Sequence, residues 1–474
     1  MLRFVIVFSI LLVARSWAES PRPNILFVIT DDQSFDALAV VQREQGERGR
    51  FPWLETPNLD RLAAEGVRFR NAFVVNSLCS PSRAVNLTGR YNHLNGIASN
   101  FRPFPAENVT QATLLRDAGY TTAYIGKWHM GGQRERPGFD YHATYVAHGR
   151  YRDAPFLVEG EKTATVGWVD DVATDYAIDF LRRQSGESKP WLMMLGYKTP
   201  HQPWEPPART RDLYAGEKAG KPINHESLPP YFAREPRSTD GNSKTWNDLD
   251  YFRCVTAMDD SFGRVRDALE ESGQAKQTVV IFTSDNGMYL GAHGTGDKRS
   301  AYDESLRVPF IVRDPRLAES THGRVVDEMV LNLDLVPAVL ELAGVAGPAE
   351  LQGRSWVPLL TRIVPDWRES WFYEYFTEAQ RMTRVPDVTA VRTTGAKLIK
   401  YPGFPEWTEL FDLKRDPYER LNLYGTAAAA ELQAELEAEH ERLADELEFH
   451  EPASVDRPED WGQPGSLAGD VSKR

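Results

Sequence analysis

The chain has 474 residues, of which 41% are hydrophobic, and carries a formal net charge of −13. That length can bury a large core and suggests two domains rather than one. The acidic balance excludes a general binder of nucleic acid or long polyanions, so an anionic substrate would need a local basic pocket. The first 18 residues read as a signal peptide, with Arg3 as the charged end, an apolar run over 4–13 and Ser16-Trp17-Ala18 as the cleavage site. The run is short for a membrane anchor, so the mature protein is expected to be secreted or periplasmic, with no membrane span. Cleavage removes Arg3 and Arg15 and no acid, which moves the charge from −13 to −15.

Residues 24–30 (NILFVIT) are a continuous apolar run of strand length, as in a strand buried on both faces. Asp31 and Asp32 follow at once, where sites in open α/β sheets lie. Two adjacent carboxylates repel, and a cation between them resolves this, although a turn or helix cap is the plainer reading of the pair taken alone. Residues 56–66 predict an amphipathic helix, and 67–75 a strand leading into Cys79-Ser80-Pro81-Ser82-Arg83-Ala84-Val85-Asn86-Leu87-Thr88-Gly89-Arg90. In that stretch Pro81 suits a first helical turn and Gly89 a helix end. Cys79 then sits at a helix N-terminus, where free N–H groups favour an anion, with Arg83 one turn on.

Residues 112–118 read as a helix and 121–125 as a strand running into Gly126-Lys127-Trp128-His129-Met130-Gly131. Lys127 and His129, two apart, share one side of an extended segment. Residues 132–168 are loop-rich, 169–183 a helix with an acidic start, and 191–197 the next buried strand, followed by Lys198-Thr199-Pro200-His201-Gln202-Pro203-Trp204. His201, held between prolines after a strand end, is a candidate functional imidazole. Residues 205–245 form a long Pro-, Gly- and charge-rich insertion, and 246–272 one long helix. Residues 278–284 are a further buried strand ending in Asp285-Asn286-Gly287, with Asp297, Lys298 and Arg299 downstream and a strand over 310–312.

An apolar helix over 329–343 closes the large domain. After about 344 short strands (371–376, 389–393, 396–401, 409–412) precede an Ala-rich helix over 426–446. Its leucines 432, 436, 443 and 447 form one stripe that would pack on a small sheet. The expected domains are 19–344 and 345–450, with a tail over 451–474. There are two cysteines, Cys79 and Cys254. In an exported protein they could pair; if Cys79 is consumed in another way, Cys254 is a buried residue on a helix.

Asp31, Asp32, Asp285 and Asn286 are hard oxygen donors after two apolar strands, which favours calcium or magnesium over zinc. Five segments, in order, resemble the type I sulfatases: the Asp-Asp pair, Cys-x-Pro-Ser-Arg with Leu-Thr-Gly-Arg, Gly-Lys-Trp-His, Pro-His, and Asp-Asn with a later lysine. The resemblance implies an α/β fold of the alkaline-phosphatase type, a large mixed sheet sandwiched by helices with a smaller C-terminal α+β domain. It also implies formylglycine made from Cys79 by a maturation enzyme, and a divalent metal, calcium or magnesium, at the four oxygen donors. Arg83 would hold the nucleophile, Lys127 and Lys298 the sulfate, His201 would protonate the leaving oxygen, and His129 would expel the sulfate. Sister activities remain open: other sulfatases such as iduronate-2-sulfatases or arylsulfatases, phosphonate or phosphate ester hydrolases, and inactive carbohydrate-binding relatives.

Residues 91–96, 149–156 and 297–299 further resemble glycosaminoglycan-type sulfatases, including N-acetylglucosamine-6-sulfatases. A sulfated carbohydrate is therefore the expected partner, with 6-O-sulfated N-acetylglucosamine at a glycan end the first choice. Sugar recognition uses aromatic faces and carboxylate or amide groups. His93, Asn95, Arg150, Trp204, Glu374 and Trp407 are the expected substrate contacts.

Overall fold

Asn24–Thr30 is buried at every position and pairs in parallel with Trp191–Gly196 on one side and Thr278–Ser284 on the other. Its apolar residues alternate between two helical layers. Ile25, Phe27 and Ile29 face a core with the helices Cys79–Thr88, Gln111–Asp117 and Leu335–Ala343. Leu26 and Val28 face a second core with Pro57–Glu65, Val169–Gln184 and Leu249–Glu271. A strand covered on both faces reads as an unbroken apolar run because each side chain meets a helix. The computed structural model describes residues 22–132, 136–145, 147–232, 245–378, 385–452 and 455.

These strands belong to a ten-stranded mixed sheet. Its order is Arg324–Val326, Val67–Phe69, Phe310–Arg313, Thr278–Ser284, Asn24–Thr30, Trp191–Gly196, Thr121–Lys127, Tyr141–Tyr145, Phe156–Val158, Glu161–Thr163. The five strands from Thr278–Ser284 to Tyr141–Tyr145 run parallel, so their carboxyl ends open on one edge. A second, antiparallel sheet contains Ser370–Tyr375, Val388–Thr393, Ala396–Lys400 and Glu409–Asp412 in sequence order. The helix Ala430–Glu446 covers it, with Leu436 and Leu443 buried and Leu432 and Leu447 at the margin of the same core. The fold is thus the α/β architecture with a smaller C-terminal α+β unit that the sequence implied.

Some predicted elements change. The strand expected over 67–75 is two short strands, Val67–Phe69 and Ala72–Phe73, the second pairing with Val330–Leu331. Residues 329–334, expected to be helical, therefore begin as strand, and the helix starts at Leu335. Pairing with a partner distant in sequence overrides the local apolar pattern there. The strand after residue 121 continues through Lys127. Both cysteines are free and buried, Cys254 on the Leu249–Glu271 helix. Residues 1–18, 233–244 of the insertion and 456–474 lie outside the described residues, and no described helix is long and apolar enough to cross a membrane.

Gly126 and Gly196 face each other at the carboxyl ends of adjacent strands. Gly126 has φ +90°, and a Cβ there would lie 2.0 Å from the Gly196 carbonyl oxygen. A Cβ on Gly196 would come within 3.1 Å of an Arg83 Nη1. The glycine pair leaves room for the Arg83 guanidinium to reach the strand ends. Gly126→Ala is expected to destabilise the large domain by about 2–4 kcal/mol through strain and overpacking, read as a lower thermal unfolding midpoint.

Candidate active site

The in-register pairing of Thr30 with Ser284 sets Asp31-Asp32 and Asp285-Asn286 side by side beyond the strand ends. Asp285 Oδ1 accepts from the Asp32 amide at 3.2 Å, and Asn286 Nδ2 donates to Asp32 Oδ1 at 2.7 Å. The Asn286 carbonyl oxygen Oδ1 is buried with no hydrogen-bond partner. Asp31, Asp32, Cys79 and Asp285 bring ligand atoms within 4.8 Å of one another. Three clustered carboxylates, with the orphaned amide oxygen of a side chain bonded to one of them, fit a hard divalent cation.

Cys79 opens the Cys79–Thr88 helix, and Gly89 closes it in the left-handed region at φ 65°. Asn92 Nδ2 donates to the Pro81 carbonyl at 2.9 Å and Ser80 N to Asn100 Oδ1 at 2.9 Å, so side chains further along the chain hold the helix start. Cys79 Sγ lies 3.3 Å from Asp31 Oδ1 and 2.9 Å from Lys298 Nζ. Arg83 Nε donates to Asp285 Oδ2 at 2.8 Å and Nη1 to the Lys127 carbonyl at 2.9 Å. Lys127 pairs with Asp31, and Lys298 with Asp32.

Burial pushes the Cys79 thiol up to about 12, opposed by Lys298 and reinforced by Asp285 and Asp32. Burial and then the charges of Asp32, Cys79 and Asp285 act in opposite directions on Lys298, and the charges prevail, so its ammonium is held above the ordinary lysine range.

His129, at φ 63°, accepts at its carbonyl the Ser80 hydroxyl at 2.6 Å, and its Nδ1 is 3.3 Å from the same oxygen. His201 Nε2 lies 3.8 Å from Asp32 Oδ2. Burial pushes both imidazoles well below the usual histidine range. The next contributions come from Lys127 and His148 for His129, and from Lys298, Lys127 and His148 for His201. The turn carrying His201 is held by the buried Asp170, which accepts from the Lys198 amide at 2.8 Å and the Thr199 amide at 3.0 Å.

All ten residues expected for catalysis and metal binding therefore meet at one sheet edge. The expected substrate contacts divide. His93 and Glu374 are fully buried against each other at 2.6 Å. Glu374 also accepts the Asn92 and His93 amides, and His93 Nε2 contacts the Leu447 carbonyl at 3.1 Å. Asn95, also buried, bonds the Arg90 carbonyl and the Ile97 amide. Trp407 stacks on Phe404 at 4.2 Å in the small-sheet core. These four spend their polar groups or faces on the protein itself, which argues against their touching substrate; His93 and Glu374 tie the segment after the signature helix to the small sheet. Arg150 is exposed and donates to the Asp153 carbonyl at 2.7 Å. Trp204 is half-buried on the His201 turn, its indole N–H on the Pro200 carbonyl at 2.7 Å.

Four residues near the site escaped sequence reasoning: Ser80, His148, Asp170 and Lys198. Ser80 and Lys198 stand beside motif residues, which was the available signal. Asp170 belongs in sequence only to the acidic start of a helix. His148 sits in a loop-rich stretch with no pattern.

A buried nucleophile position with two lysines, an arginine and a hard-cation cradle defines a hydrolytic enzyme for anionic esters. The chain belongs to the sulfatase family, which matches residues 23–345, and residues 291–446 match the C-terminal unit of N-sulphoglucosamine sulphohydrolase. It is a sulfuric ester hydrolase. It is 33% identical to an N-acetylglucosamine-6-O-sulfatase of Bacteroides thetaiotaomicron, over 88% of this chain and 85% of that one. It is 30% identical to an ulvan-active sulfatase of Formosa agariphila, over 90% and 82%. A solved structure of BT4656 in complex with its substrate D-glucosamine-2-N,6-O-disulfate superposes with TM-score 0.81 and 30% identity, covering 91% of this chain and 99% of that chain. The phosphonate monoester hydrolase of Agrobacterium radiobacter shares the fold, at TM-score 0.73 and 21% identity over 92% and 100%.

Both thiols are fully buried, and burial raises the proton affinity of each. In unconverted protein at pH 8, neither cysteine is expected to react with iodoacetamide until the chain is unfolded, as read by intact mass before and after denaturant.

Proposed function

We propose that this chain removes 6-O-sulfate from N-acetylglucosamine at the end of a sulfated glycan. The observation that carries the catalytic part is the seat of Cys79 at a helix N-terminus, touching Asp31 and Lys298, with Arg83 anchored on Asp285 behind it. A maturation enzyme converts Cys79 to formylglycine; one hydroxyl of the hydrate at position 79 gives its proton to solvent, and the alkoxide attacks sulfur as the bond from sulfur to the sugar oxygen breaks. Asp31, Asp32, Asp285 and Asn286 would hold one divalent cation, calcium first and magnesium second, which when bound supplies charge neutralisation at the sulfate oxygens.

Lys127 and Lys298 hold the sulfate oxygens, where negative charge must be stabilised as the ester bond breaks. Arg83 keeps position 79 and Asp285 in fixed relation. His201, on the more open side of the site, delivers a proton to the departing sugar oxygen as its imidazolium, which takes that proton from solvent once the negative charge of the bound sulfate ester joins that of Asp32, 3.8 Å away, against its burial. His129, held by Ser80, takes the proton of the second hydroxyl at position 79, which releases sulfate and restores the aldehyde. An aldehyde hydrate has that second hydroxyl; a serine does not, and would leave a stable sulfate ester.

For the substrate, the support is the likeness to the N-acetylglucosamine-6-O-sulfatase and to the glucosamine-disulfate complex. The net charge of −13 argues against sliding along an internal polyanion and for exo action on one terminal residue. Arg150 and Trp204 remain as contacts to the sugar. Secretion or export to the periplasm accords with such a substrate.

The test is sulfate release from 2-, 3-, 4- and 6-sulfated monosaccharides and short oligosaccharides, with phosphate and phosphonate monoesters alongside. Preference for terminal 6-O-sulfate is the expected result. A 2-O-sulfated uronic acid preference would overturn the substrate, faster phosphonate cleavage would overturn the sulfatase chemistry, and binding without turnover would mark an inactive relative. Peptide mass analysis should find formylglycine at position 79 in active protein, and Cys79→Ala should abolish turnover with an unchanged unfolding midpoint. His201→Ala should lower kcat on a sugar sulfate about 10²–10⁴-fold but on p-nitrophenyl sulfate much less, because a phenolate leaves without a proton. Exhaustive chelation should remove activity, and Asp285→Ala should do the same in the presence of calcium.

A further inference from the structure

The loop after the Tyr141–Tyr145 strand carries a third imidazole into the site. Gly149 adopts φ +61°, and a Cβ there would lie 2.6 Å from the Tyr145 ring, so the chain can fold back over that tyrosine only with glycine at this position. His148 is thereby set against both of the other histidines. Its ring centroid lies 3.9 Å from that of His129, at 48°, and 4.3 Å from that of His201, at 31°. Its Nδ1 is 3.3 Å from Lys127 Nζ. With Lys127 charged in its pair with Asp31, this nitrogen accepts from the ammonium. Further along the same loop, Tyr151 donates to the His201 carbonyl at 2.7 Å, and its ring lies 4.8 Å from Lys198 Nζ. Lys127 ends one strand and His129 follows it, and His201 follows another. This loop touches all three.

We propose that His148 is a positioning residue for sulfate-ester cleavage: its ring sets the separation of His129 and His201, and its Nδ1 fixes the Lys127 ammonium. The inference rests on the reading of His129, His201 and Lys127 as the groups that move protons and hold sulfate. Aligning groups borne on different strand ends is costly in entropy, and a ring set against them has already met that cost in the folded chain. Because it acts through other residues, His148 should govern turnover more than affinity.

The experiment is steady-state kinetics of formylglycine-containing enzyme on p-nitrophenyl sulfate and on N-acetylglucosamine 6-sulfate. His148→Ala should lower kcat about 10–100-fold with KM within about threefold. His148→Phe keeps a flat ring, and His148→Asn keeps an acceptor; each should recover part of the loss. In a His201→Ala background, His148→Ala should cost less on the sugar sulfate than in the wild type, since the spacer then has one neighbour fewer to hold. Wild-type kcat in His148→Ala, or a rise in KM alone, would overturn the proposal. So would a loss shared equally by all three variants together with a lower unfolding midpoint, which is the signature of a purely structural residue. A wild-type enzyme that carries formylglycine yet releases no sulfate from either ester would instead overturn the functional reading itself.

Discussion

The site depends on one register. Asn24–Thr30 and Thr278–Ser284 lie side by side, in parallel and in step to their last residues. That pairing ends two apolar strands at the same level and forces Asp31, Asp32 and Asp285 together in a buried place. Three carboxylates cannot share such a place uncompensated. Arg83, Lys127 and Lys298 are drawn in from three other segments, and each pairs with one of them. The cluster is therefore balanced, three against three, and a divalent cation among the oxygen donors would leave it net positive. A chain that is acidic overall thus builds a local attraction for a sulfate monoester. A slip of one residue would turn the strand-end side chains to the opposite face and dissolve the arrangement.

The small sheet is fastened by a second set of buried polar contacts. Lys397 pairs with Asp303 and Glu419, and Arg392 with Asp303. Burial would raise the Asp303 carboxyl, but Arg392 and Lys397 hold it far below the usual carboxylate range. His93–Glu374 closes the joint at the far end of the signature helix, and Glu374 N also donates to the Val75 carbonyl at 3.0 Å, just ahead of that helix. Arg299, the neighbour of Lys298, reaches Glu378 at 2.7 Å. The C-terminal unit therefore braces the segments that carry Cys79 and Lys298, although none of the residues proposed for catalysis comes from it.

Two of the polar residues expected as sugar contacts, His93 and Glu374, belong to this brace. His93 and Asn95 belong to a segment that resembles glycosaminoglycan-type sulfatases, and a sequence cannot say whether a polar residue of such a segment meets a ligand or a neighbouring element of the fold. Burial decides it: the Glu374 carboxylate has no exposure and already takes three protein donors, so a sugar hydroxyl cannot reach it.

What the sequence determined by itself was set by short-range physics. Unbroken apolar runs marked the three central strands, because both faces of each are covered. Polar residues directly after those runs marked the site edge. Pro81 and Gly89 marked the signature helix through its end geometry. Tertiary structure alone decided which strands are neighbours, and so which carboxylates meet. It also decided that residues 330–331 pair as strand, and that His148, in a loop with no periodicity, stands against both His129 and His201. Local pattern is written in each residue's nearest neighbours along the chain. Strand order and the approach of a loop to a distant site are set by how whole layers pack, and no short stretch of sequence encodes that.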